Sequence, residues 1–210
     1  MKKILVVLGF AVASSMANAS IVSGGLTLTG NGIAAMNFSD GGWGAVDGLA
    51  EGSYVNGDGL TGTLVANNTG TFTATYLGQV ASYTNLYFGT AQNAGINNET
   101  RGATTTMNVT GGSAVNFFFQ DGGDGTTFAN GATNTAVQGI AYFLNTYNLT
   151  DANGDLYDFL IGYNDSADVN ADFDDYVVGV RAVPVPAALP LMASALGIFG
   201  LSRRKNKATA

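Results

Sequence analysis

Hydrophobic and polar residues alternate in short runs along most of this chain. In 71–76, TFTATY, the apolar side chains fall on one face and the threonines on the other. That period of two, carried by residues that favour extended backbone, predicts a half-buried strand. Comparable runs occur at 26–29, 82–88, 104–110, 114–120, 137–144, 156–163 and 176–183. Between them recur turn pairs that adopt positive φ easily: Asn31-Gly32, Asp40-Gly41, Asn56-Gly57, Asp58-Gly59, Asn130-Gly131 and Asn153-Gly154. Eight or more short strands punctuated in this way predict an all-β fold, a single antiparallel β-sandwich or jelly-roll-like domain. Phe117-Phe118-Phe119, Tyr142-Phe143 and the aromatics of 157–159 can build its core. They argue against a disordered Gly/Asn-rich spacer. Gly25-Leu26-Thr27 is echoed by Gly59-Leu60-Thr61, but no longer repeat exists.

The two ends break the alternation. Lys2-Lys3 precede the apolar run 4–13, followed by small residues and Ala17-Asn18-Ala19. A positive start, a core too short to span a bilayer and an A-x-A site predict a secretory signal peptide over 1–19. Signal peptidase would cut between Ala19 and Ser20. At the other end, 183–201 has Ser194 as its one polar side chain, and Arg203, Arg204 and Lys205 follow. Nineteen residues at about 1.5 Å each approach the roughly 30 Å of bilayer hydrocarbon. Prolines crowd the outer end of that helix, and the basic cluster beyond it acts as a cytoplasmic stop.

Charge separates the ends from the middle. Six of the eight basic residues lie outside 20–182, which keeps Arg101 and Arg181 against all 15 acids, a net charge of −13. The same stretch has no Lys, His, Cys or Pro. Such a surface repels nucleic acid and anionic lipid, and it suits cations. No disulfide is possible, and 163 residues can form a core without one.

The tail is more specific than a membrane anchor. Val183-Pro184-Val185-Pro186, small residues, a short apolar helix and Arg203-Arg204-Lys205 near the terminus resemble the PEP-CTERM sorting signal. The family's name motif has Glu where this chain has Val185. The resemblance, confined to about 183–207, implies that an exosortase, a transpeptidase-like membrane enzyme, recognises the tail. It implies cutting near Pro-x-Pro after transient anchoring, and delivery to the cell surface or matrix. It further implies a Gram-negative, exopolysaccharide-producing bacterium. The domains expected are a signal peptide at 1–19, an acidic β domain at 20–182 and a sorting tail at 183–210. Beyond residue 19, Asn-x-Ser/Thr occurs at Asn37, Asn67, Asn98, Asn108, Asn148 and Asn164. In a chain so rich in Asn and Thr these are expected by chance and are not read as glycosylation sites.

Candidate chemistry concentrates in 151–175, DANGDLYDFLIGYNDSADVNADFDD. Asp151, Asn153 and Asp155 have the one-three-five oxygen spacing of calcium loops, as do Asp168, Asn170, Asp172 and Asp174. Neither is an EF-hand: Leu156 and Phe173 replace the required glycine, and Gly162 and Gly179 the bidentate glutamate. The runs 156–163 and 176–183 are expected to pair antiparallel. The loop 164–175 then carries Asp165, Asp168, Asp172, Asp174 and Asp175. That loop either holds Ca²⁺ through Asp165, Asp168, Asn170, Asp172, Asp174 and Asp175, or is a water-exposed acidic surface that keeps the protein soluble. Asp121-Gly122-Gly123-Asp124 and Asn56-Gly57-Asp58 read as turns. Trp43, between glycines, reads as a core residue ahead of a sugar-stacking platform.

Without His, Cys or Lys in 20–182, nucleophile–base pairs, Schiff bases and His-ligated metal hydrolysis are excluded there. A two-carboxylate glycosidase survives as a class, but exposed aspartates on turns are poorly placed for a raised pKa. The expectation is a non-enzymatic surface or matrix protein associated with exopolysaccharide, in biofilm or floc. The alternative is a calcium-dependent carbohydrate-binding module exported by the same route.

Overall fold

The computed structural model describes residues 19–33, 60–79, 84–89, 96–97, 101–135, 138–146, 148–165, 173–184, 192 and 194–196. Twelve strands lie among them: β1 (Ala19–Ser23), β2 (Leu26–Ile33), β3 (Leu60–Ala66), β4 (Gly70–Gly78), β5 (Leu86–Phe88), β6 (Ile96–Asn97), β7 (Thr104–Val109), β8 (Phe118–Gln120), β9 (Thr127–Ala129), β10 (Gly139–Leu144), β11 (Phe159–Asn164) and β12 (Tyr176–Pro184). All pairings are antiparallel. Eight strands form one sheet in the order β1-β2-β3-β10-β11-β12-β4-β7, and four form another in the order β6-β5-β8-β9. The all-β, antiparallel expectation is met.

The alternation read at 71–76 is the packing of β4. Phe72, Ala74 and Tyr76 are buried in the main core, while Thr71 and Thr73 face outward, and Thr75 shares a hydrogen bond with Thr104 of β7 at 3.1 Å. The central strands β10, β11 and β12 behave differently. Ile140, Tyr142, Phe159, Ile161, Tyr163, Tyr176, Val178 and Val180 face the main core. Ala141, Phe143, Leu160 and Val177 face a second cluster with Leu77, Leu149, Tyr157 and Phe173. Burial on both faces explains their nearly continuous apolar sequence.

The four-stranded sheet joins the main core through its aromatics. Phe119 stacks on Tyr163 at 5.1 Å and meets Tyr176 edge-on at 5.7 Å; Phe117 stacks on Phe72 at 6.2 Å. The large sheet turns a corner at β3. That strand touches β10 at one position, Leu60 with Tyr142, while Leu64 and Ala66 bond the 112–115 segment. Asn130 clamps the corner. Its side chain donates to the carbonyls of Leu64 and Val115 and accepts from the Leu64 N–H and the Tyr142 hydroxyl.

The expected pairing of 156–163 with 176–183 is present, with Phe159 opposite Val180 and Tyr163 opposite Tyr176. Other boundaries shift. Leu156 is 55% exposed and only bridges Thr150, because the chain turns at 151–154 before β11 begins. The run 114–120 is strand only over β8. Asn31-Gly32 is no turn: it lies inside β2, where the register with β3 slips between Thr29 and Gly32. A bulge uses the same backbone freedom as a turn. The tail helix expected from 183 onward lies mostly outside the described residues, of which 192 and 194–196 are helical. No helix among the described residues is long and apolar enough to cross a membrane.

Candidate functional site

Strand geometry assembles a polar cluster at one end of the shared core. Side chains two apart on a strand share a face. Asp121 follows Phe119 by two, Asp165 follows Tyr163 by two, and Asp174 precedes Tyr176 by two. Because Phe119 and Tyr163 already touch, Asp121 and Asp165, just past the ends of β8 and β11, come together beside the rings, and Asp174 lies just before β12. All are buried, with Asp121 and Asp165 each 1% exposed, and Asp175 is buried beside them.

Two amides stitch the cluster. Asn85, fully buried, donates to Asp165 Oδ2 at 2.8 Å and accepts from the Gly122 N–H at 3.0 Å. Gln138 donates through one nitrogen to Asp121 Oδ2 at 2.8 Å and Asp124 Oδ2 at 3.2 Å. Asp175 Oδ2 accepts the Asp165 N–H at 2.7 Å, which ties the end of β11 to the start of β12. Asp121 Oδ1 accepts the N–H groups of Gly123 and Asp124, holding 121–125 as a turn. That segment is therefore the expected turn, and its first residue is also a buried part of this cluster.

Tyr163 is the unusual member. Its ring lies flat against Phe119, and its hydroxyl is buried without a hydrogen-bond partner. An unmet buried hydroxyl costs about 1–3 kcal/mol. Burial pushes the phenol's pKa well above its ordinary value, and the carboxylates of Asp121, Asp165, Asp124 and Asp175 push it further. The hydroxyl thus sits in the field of four carboxylates.

The expectation of water-exposed aspartates fails for Asp165, Asp174 and Asp175. Pairing of β11 with β12 down to Tyr163 and Tyr176 draws the flanking residues under the four-stranded sheet. Asp168, Asn170 and Asp172 lie outside the described residues. The other calcium-like set is occupied by a side chain of the protein itself. Arg181 reaches Asp151 at 3.2 Å and also pairs with Asp155, while Asp151 Oδ1 accepts the Asn153 and Asp155 N–H groups. Burial raises the Asp151 pKa, but these donors and the guanidinium outweigh it, and the carboxyl ends below its ordinary range. Among the described residues, no three His, Cys, Asp or Glu side chains already converge as a metal cage.

Of the processing residues, Ala19 and Ser20 open β1 opposite Gly30 and Thr29. Val183 and Pro184 close β12 opposite Thr71 and Gly70. The domain's last strand thus runs two residues past the expected boundary at 182. Ala17, Val185, Pro186, Arg203, Arg204 and Lys205, like Trp43 and Asn56-Gly57-Asp58, lie outside the described residues. Asn85, Gln138 and Tyr163 were not singled out by sequence, since each is ordinary until the sheets bring it to the cluster.

No family model, curated protein or solved structure matches this chain.

Proposed function

We propose that this chain is an exported, non-enzymatic surface or matrix protein, an acidic β-sandwich of jelly-roll type delivered by signal peptidase and an exosortase. The reading rests above all on the tail, where Pro184-Val185-Pro186, an apolar run and Arg203-Arg204-Lys205 follow one another. After release, the net charge of −13 on 20–182 suits a hydrated, cation-rich exopolysaccharide matrix. Replacing Arg203, Arg204 and Lys205 together with Ser removes the charges that resist passage through the bilayer. Fractionation should then show loss of processing and surface retention. Unchanged display would remove the basic end from the sorting signal.

The buried carboxylates favour a second reading, a calcium-dependent carbohydrate-binding module on the same route. A glycan array read with and without calcium separates the two.

A further inference from the structure

We propose that the end of the core bounded by the 121–124 turn and the facing ends of β11 and β12 is a divalent-cation seat of calcium chemistry, built from Asp121, Asp124, Asp165 and Asp175 around the Tyr163 hydroxyl. This moves the site away from the alternating set 168–174 that the sequence suggests. The new site spans both sheets: Asp121 and Asp124 follow β8, Asp165 follows β11 and Asp175 precedes β12.

Three observations carry the inference. The Tyr163 hydroxyl is buried, lacks a partner and lies in the field of these four carboxylates. Next, the Gln138 amide nitrogen bridges the Asp121 and Asp124 carboxylates. It occupies, as a donor, the position between two anionic oxygens that a cation would take. Turning that amide over exchanges its nitrogen for its oxygen, a donor for a ligand, in nearly the same volume. Finally, every group available is an oxygen or becomes one, as hard cations require, and Ca²⁺ tolerates the irregular six to eight ligands such a seat would offer. Mg²⁺ demands octahedral order and keeps its waters. The cage is not closed in the cation-free arrangement, so binding must draw the 121–124 turn toward β11 and β12.

The inference is independent of the export reading and needs only the calcium half of the second reading; a blank glycan array leaves it standing. The test is Tb³⁺ luminescence of the full-length chain under tyrosine excitation. Tb³⁺ takes calcium's oxygen ligands, and Tyr163 would lie against it. Emission should appear and be chased by Ca²⁺ at concentrations at least about tenfold below those needed with Mg²⁺. It should vanish in the Asp121→Asn/Asp165→Asn double variant and persist in Asp151→Asn, whose carboxylate serves Arg181. Should the double variant fail to fold, Tyr163→Phe keeps the ring on Phe119 and removes only the hydroxyl. Its Ca²⁺ midpoint in thermal melts should weaken several-fold. No emission, emission chased equally by Mg²⁺, emission retained in the double variant, or an unchanged midpoint in Tyr163→Phe would overturn the site.

Discussion

Asp158 shows what a single half-buried carboxylate does here. One of its oxygens accepts the N–H of Ala182 at 3.0 Å and that of Gly25 at 3.3 Å, so it pins the β1–β2 turn to the last strand. The turn passes so close that Gly24, at φ +52°, has no room for a Cβ beside the Asp158 carboxylate. Asp158→Ala strands two backbone donors, and chemical denaturation should show a loss of about 1–3 kcal/mol. Burial raises the Asp158 pKa more than the Ala182 and Gly25 donors and Arg181 lower it. Its folded pKa therefore exceeds its unfolded one. The stability it contributes is full below the unfolded pKa and is lost as pH rises through the folded pKa. Asp158→Asn keeps an acceptor and cannot ionise. Melting curves should show it matching or exceeding the wild type at neutral pH and losing this part of the pH dependence. At this scale the sequence was least informative. Asp165, Asp174 and Asp175 stood out as an acidic run, but nothing local signalled their burial, since Asn85 and Asp121 come from distant parts of the chain.

Strands were readable where their length let a period show. β7 and the first half of β4 alternate because one face meets the core and the other is more exposed. The continuous apolar runs of β10 to β12 reported burial on two faces. β6 has two residues and β9 three, too few for any periodicity, and Gly62 interrupts the alternation of β3. The Gly-Leu-Thr echo falls on two strands that pair, but the echoed residues are not partners: Leu26 lies opposite Ala66 and Leu60 opposite Ile33. The short β8 matters beyond its length, because fully buried Phe119 touches Tyr87, Phe117, Tyr163 and Tyr176. Phe119→Ala opens a cavity where the two sheets meet and should cost about 3–5 kcal/mol in urea unfolding. Leu156→Ala, at a site 55% exposed, should change stability by no more than about 0.5 kcal/mol. Equal effects at the two positions would show that the small sheet does not close the core.

Across the whole molecule, β12 is both the last described strand and a central one, set between β11 and β4. The large sheet needs residues up to Pro184, which lies within the expected sorting motif. A cut ahead of Pro184 would remove a residue paired with Gly70. The processed chain should therefore retain Pro184. At the other end, cutting after Ala19 removes one residue paired with Gly30, but β1 is an edge strand, and Ser20 remains to begin it opposite Thr29. Intact-mass analysis of the protein recovered from the cell surface tests this account most directly. The expected mass corresponds to a chain starting at Ser20 and ending within a few residues after Pro184. A mature chain that still carries Arg203 to Lys207 would contradict exosortase sorting and leave a membrane-anchored protein in its place.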